Sequence, residues 1–155
     1  MTRDLPTYTI DELEDLSTTQ FEEMTNEDAV NLGLVAIEVI TEWELSLAVD
    51  IVLAGDLVFR AKLGQTGAGN DQWLAGKAAV VNKYGEPSLL VKLRHEASGT
   101  EFVEETADGV ILRAHGGSIP LRVNGAVVGT ITMSGEPDVL DHAAAAEAIR
   151  RFVAE

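Results

Sequence analysis

The chain reads as a single α+β domain in which helices pack on one five-stranded antiparallel sheet. Three observations predict this. Along its 155 residues the apolar pattern switches from helical spacing to strict alternation and back. The alternating stretches come mostly in pairs. The pairs are joined by short turn sequences, Ala54-Gly55-Asp56 and Asn124-Gly125, so the paired strands run antiparallel.

Residues 1–20 read as a flexible acidic N-terminal segment with room for a short acidic helix over 10–16, and residues 21–155 as the folded domain. Thr25 is the first strong helix start. Asp28 stands three residues on as a short capping-box partner, and the dipole favours its charge there. That helix runs to about Trp43. Its apolar positions cover most of the circumference, so it is expected to be buried on more than one side, against a sheet or a partner subunit. Residues 45–53 and 57–63 alternate as two strands. A three-residue loop sets Leu53 opposite Leu57, Ile51 opposite Phe59 and Val49 opposite Ala61, and places Asp50 across from Arg60. A shift by one residue would scramble both faces. Asp71–Tyr84 reads as a helix, with Asn70 or Asp71 as cap and Gly85 as its stop. Residues 88–94 read as a strand and 100–106 as a short helix. Residues 107–117 read as irregular. Strands 118–123 and 127–133 flank Asn124-Gly125, and Pro137 opens a last helix over about 138–153.

The composition excludes several functions. There is no cysteine, so disulfides, thiol catalysis and thiolate metal sites are out. With 26 acids against 11 bases the net charge is −15, which argues against binding nucleic acid or an anionic membrane surface. No apolar run reaches the ~20 residues of a membrane span, and the start lacks a secretory apolar core, so a cytoplasmic protein is expected. No phosphate loop, zinc-protease helix or dinucleotide fingerprint is present.

Several residues are candidates for chemistry. His115 precedes Gly116 and Gly117, so this loop either presents an imidazole and bare N–H groups to an anion or a metal, or simply turns tightly before a strand. Ser134 and Gly135 end a strand where a helix begins, a junction that offers N–H groups to an anion or only reverses the chain. Arg60 and Lys77 either hold a ligand carboxylate, or Arg60 balances Asp50 while Lys77 faces water. Asp141 suits the helix N-terminus. His142 reads as a packed residue or one paired across a subunit boundary. Trp73 reads as core or interface.

A resemblance adds to this reading. Leu57-Val58-Phe59-Arg60-Ala61, Gly69-Asn70-Asp71-Gln72-Trp73 with Lys77, Tyr84-Gly85, His115 through Val123, Val128 through Gly135, and Pro137 with Asp141-His142 follow one another as in the haem-degrading-domain family. That family includes GlcG-like and HbpS-like proteins, the C-terminal domain of PduO-type corrinoid adenosyltransferases, and a branch of small uncharacterised proteins that this chain matches best, over roughly residues 22–153. The resemblance implies a profilin-like sheet, symmetric homo-oligomers and, in some members, haem binding or degradation. It makes haem the leading ligand, with His115 as iron contact and Arg60 and Lys77 as carboxylate partners. The expectation is therefore a small-ligand-binding homo-oligomer taking haem or a related small anionic ligand. The alternatives are an enzyme on a small anionic metabolite and an oligomeric adaptor without catalysis.

Overall fold

Thr25 caps its helix as its neighbours predict. In the computed structural model, which describes residues 3–16 and 19–154, its hydroxyl accepts the Asp28 N–H (3.1 Å) and its own N–H donates to the Asp28 carboxylate (2.9 Å). In chain order the elements are α1 (Ile10–Leu16), α2 (Asn26–Glu42), β1 (Ala48–Leu53), β2 (Asp56–Lys62), α3 (Asp71–Tyr84), α4 (Ser88–Ser98), β3 (Thr106–Ala107), β4 (Val110–Ile111), β5 (Ser118–Val123), β6 (Ala126–Ser134) and α5 (Asp138–Ala154). The main sheet is antiparallel, ordered β2-β1-β6-β5, and β3-β4 form a separate ribbon.

The α+β class follows the prediction, and one expected strand does not. Residues 88–94 open α4, which ends at Gly99 in the left-handed conformation. Leu89, Leu90 and Val91 form too short an apolar run to distinguish a strand from a buried helix. Pro87 before the run and Gly99 after it are the helix signals. The sheet therefore has four strands. The expected helix over 100–106 is open chain leading into β3.

The β1–β2 register combines two turn lengths. Val49, Asp50 and Ile51 face Ala61, Arg60 and Phe59 as predicted, but Leu53 faces Asp56 rather than Leu57. The register shift between Ile51 and Val52 leaves Val58 as a bulge, and the turn itself is the two-residue Ala54-Gly55, both at positive φ. The β5–β6 hairpin repeats the device around Asn124-Gly125, with a second shift beside Leu121.

The two sheet faces differ in chemistry. Val49, Ile51, Leu53, Ile119, Leu121, Ile131 and Met133 meet Leu32, Val35, Ala36, Val39 and Ile40 of α2 and Ala144, Ala145, Ala148 and Ile149 of α5 in the main core. Full burial of each large side chain contributes about 1.5–3 kcal/mol. The opposite face carries Asp50, Ser118, Thr130, Thr132 and Ser134, all buried. Side chains this short let α3 lie on β5 and β6, and Ser118 and Thr132 hydrogen-bond each other across the strands (2.9 Å).

Part of the N-terminal segment expected to be flexible packs on the domain. Leu13 of α1 is buried with Leu89 and Leu90 of α4, and the Phe21 N–H donates to the Arg122 carbonyl beside a parallel bridge to Val123. The α2 expectation is met on one side only, because Val30 and Leu34 stay 39 % and 52 % exposed.

Candidate functional site

The polar face of the sheet ends in a cleft. Three segments meet there: the first turns of α3, the 112–118 loop, and the chain from Ser134 into α5. The hollow holds about 400 Å³ and is lined by Asn70, Trp73, Lys77, His115, Ser134, Gly135, Glu136, Asp138 and Asp141.

A buried ion pair forms its floor. Lys77 reaches from α3 and donates to the Asp141 carboxylate (2.8 Å) and to the Met133 carbonyl (3.0 Å). The two side chains are 3 % and 2 % exposed. The other Asp141 oxygen accepts the Glu136 N–H (2.9 Å). Burial pushes the Asp141 carboxyl above the ordinary carboxylate range, against the pull of the Lys77 ammonium and of the Glu136 and Gly135 N–H groups. This arrangement ties α3, the end of β6 and the first turn of α5 together.

The glycines serve this packing. The Gly116 N–H donates to Asp138 (3.0 Å), whose same oxygen accepts the Lys92 ammonium (2.9 Å). The Gly117 carbonyl accepts the Met133 N–H (2.9 Å). Gly116 and Gly117 are buried and stand behind His115; they do not line the hollow. Asn70 fixes the opposite rim. Its side-chain amide donates to the Ser134 carbonyl and hydroxyl (both 3.3 Å), and its oxygen accepts the Gly67 N–H (3.0 Å).

His115 stands at the wall between this hollow and a second one of about 340 Å³, lined on its far side by Lys92, His95, Glu96, Phe102, Glu104 and Ala114, among others. Its ring meets the Trp73 indole edge-on, with centroids 5.6 Å apart, and the Arg113 guanidinium covers the same indole at 4.3 Å. Partial burial and the neighbouring Lys92 ammonium hold the His115 pKa below its ordinary value, so the imidazole is neutral at pH 7.

The structure thus brings His115, Lys77, Ser134 and Gly135 to one cleft and leaves Arg60 elsewhere. Arg60 forms a bidentate pair with Asp50 across β1 and β2 (2.7 and 2.8 Å), the balancing role its register offered. Lys77 lines the cleft but is already matched by Asp141. It does not face water. Three carboxylates, of Glu136, Asp138 and Asp141, line the hollow against one ammonium, so its walls do not attract an anion. Asn70, Trp73, Glu136 and Asp138 were not singled out as site residues by sequence reasoning. The Glu136-Pro137-Asp138 turn before a helix was the available signal for two of them. His142 is packed inside the chain, and His95 bonds its own helix through Nδ1 and the Val91 carbonyl (2.9 Å). Among the described residues no group of three or more His, Cys, Asp or Glu side chains is arranged to hold a metal ion.

Comparison with known proteins gives concordant results. Residues 24–150 match the family described as "Haem degrading protein HbpS-like". A UPF0303 protein of Streptomyces coelicolor is 44% identical over 137 residues, 87% of each chain. Another from Rhizobium johnstonii is 32% identical over 128 residues, 82% of this chain and 79% of the relative. Among solved structures, the Ybr137w protein superposes with a TM-score of 0.82 at 24% identity, covering 96% of this chain and 90% of that one. The haem complex of PduOC superposes with a TM-score of 0.66 at 20% identity, covering 85% and 94%. At these identities the structural matches establish the fold.

Proposed function

This chain belongs to the HbpS-like family of haem-degrading proteins, and from that premise we propose that it binds a small planar ligand in the cleft beside His115, haem being the first candidate. The observation that supports this is the imidazole itself. Its pKa is held below the ordinary value, which favours the neutral form, and it has a hollow on either side. A neutral imidazole is the form that ligates a metal. With no set of three protein ligands around it, His115 suits a metal that arrives with its other ligands attached, as haem iron does. PduOC, which shares this fold, has been solved as a haem complex.

The residues fit the iron of haem better than its carboxylates. His115 would hold the iron, and Trp73 on one side or Phe102 and Ala114 on the other would face the macrocycle. Haem would supply an iron centre for ligand binding or redox chemistry. The acidic lining would disfavour the propionates, and the cation nearest to it, Lys92, about a third exposed, is already paired with Asp138. Lys77 and Arg60 stay with Asp141 and Asp50.

Haemin added to the protein is expected to give a sharp, saturable Soret shift that His115→Ala abolishes while leaving the fold, by circular dichroism, unchanged. A flat titration overturns the reading. Release of iron or biliverdin on adding a reductant would extend it to catalysis.

The chain is further proposed to assemble with copies of itself. Val30 and Leu34 of α2 and Leu57 of the edge strand β2 are large apolar side chains left in water. Sedimentation at micromolar concentration is expected to show an oligomer, with Leu34→Glu shifting it toward the monomer. A monomer for the unmodified chain ends this part of the reading.

A further inference from the structure

His142 is a buried ionisable group that the cleft does not use. It lies on α5, it is 0% exposed, and both ring nitrogens lack a hydrogen-bond partner among the described residues. Its cover comes from the N-terminal segment. Tyr8 meets the imidazole edge-on, with centroids 4.8 Å apart. On the same side, Tyr8, Ile10 and Leu13 pack with Leu89, Leu90 and Leu93 of α4 and Val139 of α5. An exposed ion pair from Glu14 to Arg94 (2.8 Å) also links the segment to α4. Exposed pairs of this kind contribute little, whereas the Tyr8, Ile10 and Leu13 side chains are packed against α4 and α5.

We propose that residues 3–16 form a clamp that protonation of His142 releases from α4 and α5. A neutral imidazole fits under Tyr8 at the cost of two unmet polar atoms. An imidazolium there would be a charge in an apolar pocket without a partner, which is far more costly. The ionisable groups around it do not supply one. From the segment comes the Tyr8 hydroxyl, itself held protonated by burial and by nearby Glu12. From α5, one turn earlier, comes Asp138, already engaged by Lys92 of α4 and by the Gly116 N–H. Adjacent Asp141 is turned to Lys77. The imidazolium is relieved when the segment lifts and water reaches the ring.

The sign follows from linkage. Burial depresses the His142 pKa to about 4 in the docked state, against 6.5 for the free side chain. Docking is therefore fully supported above about 6.5, and the support is lost as the pH falls toward 4. Between pH 7.5 and pH 5.0 the ratio of open to docked segment should rise about thirty-fold. The clamp bears on the helix whose first turn walls the cleft, so its release also loosens the cover behind Asp138.

Hydrogen–deuterium exchange of the full chain at the two pH values, corrected for intrinsic rates, tests this. The peptide over residues 8–16 is expected to lose about thirty-fold in protection at pH 5.0, while peptides from β1 and β6 keep theirs. In His142→Phe the loss should shrink to less than about threefold, and His142→Gln, polar but unable to take the charge, gives the same readout if the phenylalanine does not fold. Three outcomes overturn the proposal: protection unchanged with pH in the unmodified chain, an equal loss in both variants, or a loss shared by the sheet peptides.

Discussion

Replacing Lys77 with methionine should lower the unfolding free energy by about 3–5 kcal/mol, because it leaves the Asp141 carboxylate buried without its cation. For a domain of this size that is roughly 10 °C or more in Tm. The loss has a definite pH dependence. Burial already raises the Asp141 pKa, and without Lys77 it rises further. A carboxyl whose folded pKa lies above the unfolded one contributes stability at low pH and loses it as the pH rises through the folded value. The variant should therefore be nearer to wild type at pH 5 than at pH 8. Adding Asp141→Leu removes the orphaned charge and should recover much of the loss, short of the hydrogen bond from Glu136. Urea denaturation of the four proteins in the cycle measures each step. A Lys77→Met variant within about 1 kcal/mol of wild type would mean that the pair is not the tie that closes the cleft floor.

Gly117→Ala should be nearly as damaging, at about 3 kcal/mol, for two reasons that act together. The residue has φ of 139°, a conformation that side chains rarely adopt. A Cβ there would also stand 2.3 Å from the Met133 carbonyl and 2.9 Å from the Lys77 ammonium. The carbonyl belongs to a central strand and cannot move aside, so the loop must shift and carry His115 with it. The expected result is a lower urea midpoint together with weaker haemin binding. Gly125→Ala serves as control. It also has positive φ, but a Cβ there meets nothing within 4 Å, so it should weaken stability alone. Unchanged haemin binding in Gly117→Ala would separate the loop geometry from the site.

Much of the fold was legible because its signals are local. A capping box at Thr25, an Asn-Gly turn and an alternating pattern each act over three to eight residues, within which backbone geometry decides the outcome. The strand expected at 88–94 failed for the complementary reason. An apolar run this short satisfies both periods, and burial against α1, α3 and α5, together with the flanking Pro87 and Gly99, selects the helix. The bulge at Val58 was equally out of reach, because it reconciles the twist of the sheet with a two-residue turn.

The site was legible in part. His115, Lys77, Ser134 and Gly135 reach one cleft although they lie on three separate stretches of chain. Their roles there were not legible. Whether a cation faces a ligand or a buried carboxylate depends on what lies opposite, and Asp141 is 64 residues from Lys77. Trp73 read as core or interface for the same reason, since nothing in its own helix reveals that Arg113 and His115 flank it.

By itself the sequence determined the α+β class, the two hairpins with part of the register of the first, the family, and the absence of thiol chemistry. Tertiary structure alone decided that Arg60 and Lys77 are neutralised within the chain, that His115 stands neutral between two hollows, and that His142 is sealed by the N-terminal segment. The division follows the range of the forces. Backbone conformation is set by neighbours in sequence, whereas ionisation and ligand access are set by desolvation and by charges that only folding brings close.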